Sequence, residues 1–559
     1  MNRKLLALCS VLAMVVLLLA ACSQPTPQVV EKIVTQVVQE KVVETVIVEG
    51  TPQVVEKEVT KVVEVEKVVT ATPEPVAEGP VRGGSLTTAL GVQDTRGFET
   101  WQDSTGTETA IWNMVYDSFV RYDDKYEITG GLFESWETED AQTWVFKVRQ
   151  GVKWHDGVEL KAIDFVEYID KVRDPEAGAT TETIDLFADA TYQALDDYTL
   201  ELVLPRPDAA LLDGFTAQWL SRVRDFDPQM PVGTGPFKFV EWERNQHIKM
   251  VRNENYWREG LPYLDELTIA FVPDPSTRIA MLLTGEIDVV ANVPLPEVGR
   301  IAQRDEFQLI STPEQYNAME YYMLMKNSAP PFDDARVRQA VNYAIDREAL
   351  LGVTFGFGNL KANPVAAGSW AFNPDAAYPL TRDLEKAKQL MQEAGYEPGQ
   401  PAFTVSFKYW KEWPENLQIG QIVQANLADI GITVNLELLE IGQWVQTVLK
   451  DHEYEMALTA LVPRWDPNDQ LGNVYRTDDG AALEWENEEF DKYWEGGRMT
   501  PNVEERKAAY LKAQEIAALE APCAVLNAPT VFVGAADYVK GLIRYNRGDI
   551  WYERVWLEP

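Results

Sequence analysis

At 559 residues the chain exceeds what one hydrophobic core usually serves, which predicts two or three lobes. Its 88 Asp and Glu against 50 Lys and Arg give a formal net charge of -38, a field that repels a phosphate backbone and argues against nucleic acid as a partner. The three histidines, His155, His247 and His452, stand far apart in no metal-ligand or nucleophile-base spacing, so no metal or other cofactor is expected.

The chain opens with Arg3 and Lys4, an apolar stretch and small residues before Cys22, the layout of an export signal over residues 1–21. Leu19-Ala20-Ala21-Cys22 resembles the lipobox of bacterial lipoproteins, which implies acylation of Cys22 and a lipid anchor in the membrane. Residues 22–79 are Val, Glu, Lys, Thr and Gln almost throughout, and PQVVEK occurs at both Pro27 and Pro52. This low-complexity repeat reads as a stalk; a self-associating coiled coil that buries the valines is the alternative.

From about residue 80 strand-like and helix-like segments alternate, the pattern of an α/β body. WVFKVRQGVKW reads as a strand turning at Gly151, and the segment after it as a helix with Ile163, Val166, Ile169 and Val172 inward. A second helix is expected after the Asp333-Asp334 cap with Val337, Val341, Ile345 and Leu350 buried, and a third is ended by Gly395. PVGTGPFKFVEW, residues 231–242, has two closely spaced glycines, yet Pro236 removes an amide and no Lys-Ser/Thr pair follows. It reads as a tight turn with glycines at positive φ that feeds a strand, and not as a phosphate cradle.

That turn with its continuation to NENYW, the segment LPYLDELTIAFVPDPSTRIAMLLTGEIDVV, the segment PPFDDARVRQAVNYAIDREALL and the closing YVKGLIRYNRG resemble, in this order, the solute-binding proteins of ABC importers, family 5, the oligopeptide/dipeptide/nickel-binding type. The resemblance implies a bilobal periplasmic-binding-protein fold of type II, the large class with an extra subdomain, with a ligand cleft between lobes. The expected divisions are a first lobe over residues 80–310 with a subdomain inserted at about 115–200, a second lobe over 311–524, and a return to the first lobe over 525–559. It also implies an extracytoplasmic protein with an ABC permease and its ATPase as partners, a small polar solute as ligand, and no enzymatic activity of its own.

In peptide-binding relatives the region matching residues 440–471 lines the cleft, which makes Trp444 a candidate ligand contact, with a buried helix aromatic as the plain alternative. Peptide binders carry an aspartate for the ligand's ammonium group four residues before the proline that here is Pro467; that position is Pro463. Asp466 is a shifted candidate for the same role, although Asp before Pro is also an ordinary turn residue. Arg464 beside Trp465 offers a cationic fork next to an aromatic plate, suited to a carboxylate or sugar hydroxyls. Trp101, Trp112, Trp370, Trp410 and Trp413 are possible stacking faces, of which Trp101 and Trp410 are retained as site candidates, and Gln93 follows the first strand of the body, where cleft contacts are often placed. The expected function is capture of an oligopeptide, with an oligosaccharide or other polar solute as the alternative ligand. A surface sensor or adhesion protein on the same fold, or a carboxylate-based hydrolase, are alternatives of another class, and scarce histidines argue against nickel.

Overall fold

The computed structural model describes residues 33–48, 51–66 and 79–559, except 103–105, 180–183, 185, 314–318, 362, 377, 379, 398, 412, 414, 463–464, 478–482 and 546–549. The export signal, Cys22, Pro463 and Arg464 therefore lie outside the described residues. Met1–Gly79 and Pro80–Pro559 are separate compact units. In the first, Ile33–Val48 pairs antiparallel with Thr51–Glu66, with Val48 opposite Thr51 and Ile33 opposite Glu66. This hairpin replaces the helices a coiled coil would require. Valine, isoleucine and threonine, stiff at χ1, favour the extended chain over the helix.

The second unit is built on three sheets. The first has seven strands in the order Phe237–Glu243, His247–Arg252, Glu266–Phe271, Ser85–Leu90, Val289–Val293, Phe532–Ala536, Phe307–Ser311. Ser85–Leu90 runs parallel to both its neighbours. Leu86 and Leu90 enter the core on one face of it and Ala89 the core on the other, as expected of a strand covered on both sides.

A four-stranded antiparallel sheet follows the order Phe133–Glu137, Thr143–Val148, Thr199–Val203, Thr191–Asp196. The helix Ala162–Arg173 belongs to the same core, but its buried face is Ala162, Phe165, Tyr168, Ile169 and Val172. Ile163 is 44% exposed, against expectation. The aromatic side chains claim the inner face: the Phe133 ring stacks on Phe146 at 4.5 Å and on Phe165 at 4.4 Å.

The third sheet has six strands in the order Gly358–Leu360, Cys523–Pro529, Glu320–Met325, Met456–Leu461, Phe403–Trp410, Ile432–Leu439. Cys523–Pro529 lies wholly in this sheet, with Val525 and Leu526 in its core, so the return to the first sheet comes after Pro529 and not at 525. Asp334 caps the helix Ala335–Ala344, and Asp346 starts a separate helix, Arg347–Val353, where one continuous helix was expected. Val337, Val341, Ile345 and Leu350 are all buried. The third expected helix is Leu384–Glu393, and Gly395 follows with φ 97°.

Gly233 and Gly235 correct the reading of their turn, since neither adopts the left-handed conformation. Glycine is required there by close approach of a neighbouring backbone: a Cβ on Gly233 would lie 1.8 Å from the Val115 carbonyl oxygen, and one on Gly235 would lie 2.6 Å from the Val115 carbonyl carbon. His155 fastens this turn. Its Nδ1 accepts the Gly233 amide at 3.3 Å and its Nε2 bonds the Gly235 carbonyl at 3.1 Å, which fixes a neutral ring with the proton on Nε2.

Burial, opposed by the Gly235 bond, pushes the His155 imidazole down to about 4. The unfolded ring takes up its proton near 6.5. Between these values the unfolded chain binds a proton that the folded one refuses, so His155 costs stability as pH falls from about 6.5 to 4, by roughly 1.4 kcal/mol per pH unit at most. Urea midpoints measured across this range should fall further for the native protein than for His155→Gln, which has no such proton to bind.

Candidate functional site

The geometry of the site follows from where the chain crosses between the first and third sheets. It leaves the first after Ser311 and enters the third at Glu320; it leaves the third after Pro529 and re-enters the first at Phe532. Phe532 is opposite Ser311 on one side and Val293 on the other, so the carboxyl ends of Val289–Val293 and of the parallel strand Ser85–Leu90 point to this edge. In the third sheet Glu320 is opposite Leu461 and Tyr321 opposite Asn527. Phe403–Trp410 runs parallel to Met456–Leu461 and to Ile432–Leu439, which brings their carboxyl ends to the same edge. Both lobes thus turn the carboxyl ends of their parallel strands toward the crossings, the position where open α/β sheets bind ligands.

The seam between the lobes carries an aromatic cluster. Tyr122, Tyr126 and Tyr545 come from the first lobe, Trp465 and Ala366 from the second, and all five are buried, with Trp551 packed beside them. The Tyr126 ring is 5.3 Å from Trp465 and 5.8 Å from Tyr545, and Tyr545 lies 4.2 Å from Trp551. The Arg121 guanidinium sits 4.0 Å over the Trp551 ring and is held by Glu553 at 2.8 Å. Burial raises the Glu553 carboxyl, but Arg121 and Arg258 outweigh it and hold the group below its ordinary range. This ionised platform backs the first-lobe side of the cluster.

Polar bonds cross the seam beside it. The Asp466 amide donates to Asp213 at 3.2 Å, and Asp213 also accepts from the Tyr122 hydroxyl. Ala209 donates its amide to the Arg498 carbonyl at 2.7 Å, and the Arg498 guanidinium pairs with Asp208.

The residues singled out in the sequence fall in different places. Gln93 is exposed just beyond the carboxyl end of Ser85–Leu90. Trp444 and Trp410 lie at the corresponding end of the third sheet, edge to face at 5.0 Å, with Trp413 at 5.2 Å from Trp410. Trp444 is 4% exposed, its indole N–H is buried without a hydrogen-bond partner, and a π-helical turn, Val445–Lys450, follows it directly. Such turns often mark functional sites. Trp465 belongs to the seam cluster itself.

Two candidates are corrected. Trp101 packs in the core of the four-stranded sheet against Phe226 at 5.0 Å, because the inserted subdomain needs large apolar volume; it is not at the seam. Asp466 faces inward, capping the helix Pro467–Tyr475 through the Asn468 amide and pairing with Arg506 at 2.7 and 2.9 Å. Burial raises its carboxyl above the ordinary range while Arg506 pulls it back. The sequence reading missed Arg121, Tyr122, Tyr126, Asp213, Tyr545 and Trp551. The adjacent tyrosines and charges of FVRYDDKY and the Tyr-Trp content of the last segment were the available signal, but long-range pairing assembles them.

Asp466→Asn keeps a competent helix cap but leaves Arg506 buried without its counter-charge. It should lower stability to urea by about 3 kcal/mol or more, whereas a solvated turn aspartate would change it by a few tenths.

With this geometry in place, comparison with known proteins is direct. The family model described as bacterial extracellular solute-binding proteins, family 5 middle, matches residues 127–482. Heme-binding protein A of Haemophilus influenzae is 29% identical over 473 residues, covering 77% of this chain and 84% of its own. The dipeptide-binding protein of Escherichia coli is 26% identical over 471 residues, 77% and 86% of the two chains. Among solved structures, the periplasmic binding protein DppA of Helicobacter pylori in complex with the peptide STSA superposes with a TM-score of 0.71 at 26% identity, over 86% of this chain and 99% of that one. The family model spans more than half of the chain, and the chain belongs to the bacterial extracellular solute-binding proteins of family 5.

Proposed function

We propose that this protein captures an oligopeptide between its two lobes and delivers it to the permease of an ABC importer, whose ATPase supplies the energy. The observation that carries the reading is the arrangement of the sheets: the carboxyl strand ends of both lobes lie at the crossings, with Gln93 just beyond one of them and Trp410 and Trp444 at the end of the other. A solute seated there touches both lobes and favours the closed state by its differential affinity. The peptide is favoured as ligand by the dipeptide-binding relative and by the peptide-bound structural neighbour. The protein makes and breaks no bond in the solute.

An oligosaccharide or other polar solute is the second reading, favoured by the aromatic seam and by the engagement of Asp466 with Arg506. Adding a mixed peptide digest and a panel of oligosaccharides in parallel separates the two. A solute that binds the folded form raises the thermal midpoint in proportion to its saturation. The expected result is a shift with peptides and recovery of the bound peptide intact by mass spectrometry. A shift with sugars alone would replace the ligand assignment, and a cleaved product would overturn the non-enzymatic reading.

Localisation follows from the family, whose members are extracellular. We further propose that Cys22 carries the lipid anchor and that residues 22–79 tether the binding unit to the membrane. Cys22→Ala should abolish incorporation of labelled palmitate and release the protein from the membrane fraction; retention of the label would refute the assignment.

A further inference from the structure

Hydrogen bonds and ion pairs join the two lobes at two points along the seam. Arg498 is the last residue of the helix Glu488–Arg498, so its carbonyl is one of the four that a helix leaves without an internal donor. The Ala209 amide of the opposite lobe supplies that donor at 2.7 Å. The Arg498 guanidinium folds onto Asp208, with the two side chains 18% and 17% exposed, and one turn earlier Glu495 is met by Arg206 at 3.9 Å. The short segment Arg206–Ala209 thus presents plus and minus charges in the order that matches minus and plus on the helix.

A second point of attachment repeats the principle. Asp466 spends its side chain on its own helix and on Arg506, and its backbone amide, which a helix does not use, is taken by Asp213 of the other lobe. Next to it the Trp465 indole is buried against Tyr126.

We propose that Arg206, Asp208, Ala209 and Asp213 on the first lobe, with Trp465, Asp466, Glu495 and Arg498 on the second, form a latch that holds the lobes closed without any solute. The latch residues position the lobes and need not touch the solute. Its consequence for binding rests on the solute-capture reading above. A solute enters and leaves only when the lobes part, so the latch slows both steps, and the apparent dissociation constant varies inversely with the fraction of molecules already closed. Opening exchanges a few polar bonds for bonds to water and parts Trp465 and Ala366 from the first-lobe tyrosines, whereas the core of each lobe stays intact.

The test uses the full-length protein freed of bound solute, so its outcome is independent of which solute the protein takes. Hydrogen exchange is read at the Ala209 and Asp466 amides, with the mid-strand amide of Met323 as an internal control for the second lobe. Both seam amides should exchange at least ten-fold more slowly than in an unstructured chain. Asp208→Asn should speed exchange at Asp466, whose amide it does not bond, by about three- to ten-fold while leaving Met323 unchanged. The charge-reversed pair Asp208→Arg with Arg498→Asp should restore protection. Unprotected seam amides in the solute-free native protein would overturn the latch. So would an unaltered Asp466 rate in Asp208→Asn, or an equal acceleration at Met323, which would mark general destabilisation.

Discussion

The placement of both crossings at the carboxyl ends of the two main sheets is the constraint on which the rest of the molecule depends. Because the chain passes from Ser311 toward Glu320 and from Pro529 to Phe532 at one edge, the lobes are hinged where their strand ends face each other. Thr530 donates its amide to the Phe357 carbonyl at 3.3 Å, and Phe357 packs edge to face on Phe532 at 5.2 Å, so the second crossing is itself anchored to both lobes. Motion about such a hinge changes the seam and little else.

The energetics divide along the same line. The second-lobe core around Met323, Phe407 and Val423 and the first-lobe cores around Phe165 and Ile269 are each closed on their own elements. The small cluster of Tyr122, Tyr126, Ala366, Trp465 and Tyr545, by contrast, mixes side chains from both lobes across the seam. Hydrogen bonds contribute on the order of 1 kcal/mol each once water is counted as the competitor. A seam held by a few of them and one small aromatic cluster therefore opens at far less cost than the core of either lobe. The charged platform of Arg121 between Asp117 and Glu553 has the opposite character. All three are buried, and removing one partner would strand the others, so that side of the seam is rigid.

Elements with strong local signals were legible in the sequence. Asp334 and Gly395 mark helix boundaries through their own backbone preferences, and the order of the segments that resemble the family carried the fold and the family. The GTG segment was read as a turn feeding a strand, but the reason for its glycines depends on the Val115 backbone, more than a hundred residues away, which no local rule reveals. The same limit applies to the seam. Asp213 and Asp466, and likewise Tyr126 and Trp465, are separated by more than 200 residues and brought together by the crossings, so their partnership has no signature in composition or spacing. Ile163 was misassigned because periodicity counts apolar residues equally, whereas Phe165 and Tyr168 bury more area and fix the rotation of the helix.

The state of Asp466 bears on what kind of solute the seam admits. The resemblance to peptide binders implies an aspartate for the ligand's ammonium group at the position of Pro463, which offers no charge. Asp466 stands three residues on, yet it cannot turn toward the cleft without abandoning Arg506, which is 8% exposed and would be left as a buried charge with its main partner gone. Helix capping adds to the cost, because the Asn468 amide would lose its acceptor. An ammonium group in this cleft must therefore be neutralised by another carboxylate or remain in contact with water. Trp465 makes no counter-charge either, because its ring is buried against Tyr126 of the opposite lobe and serves the closure of the seam.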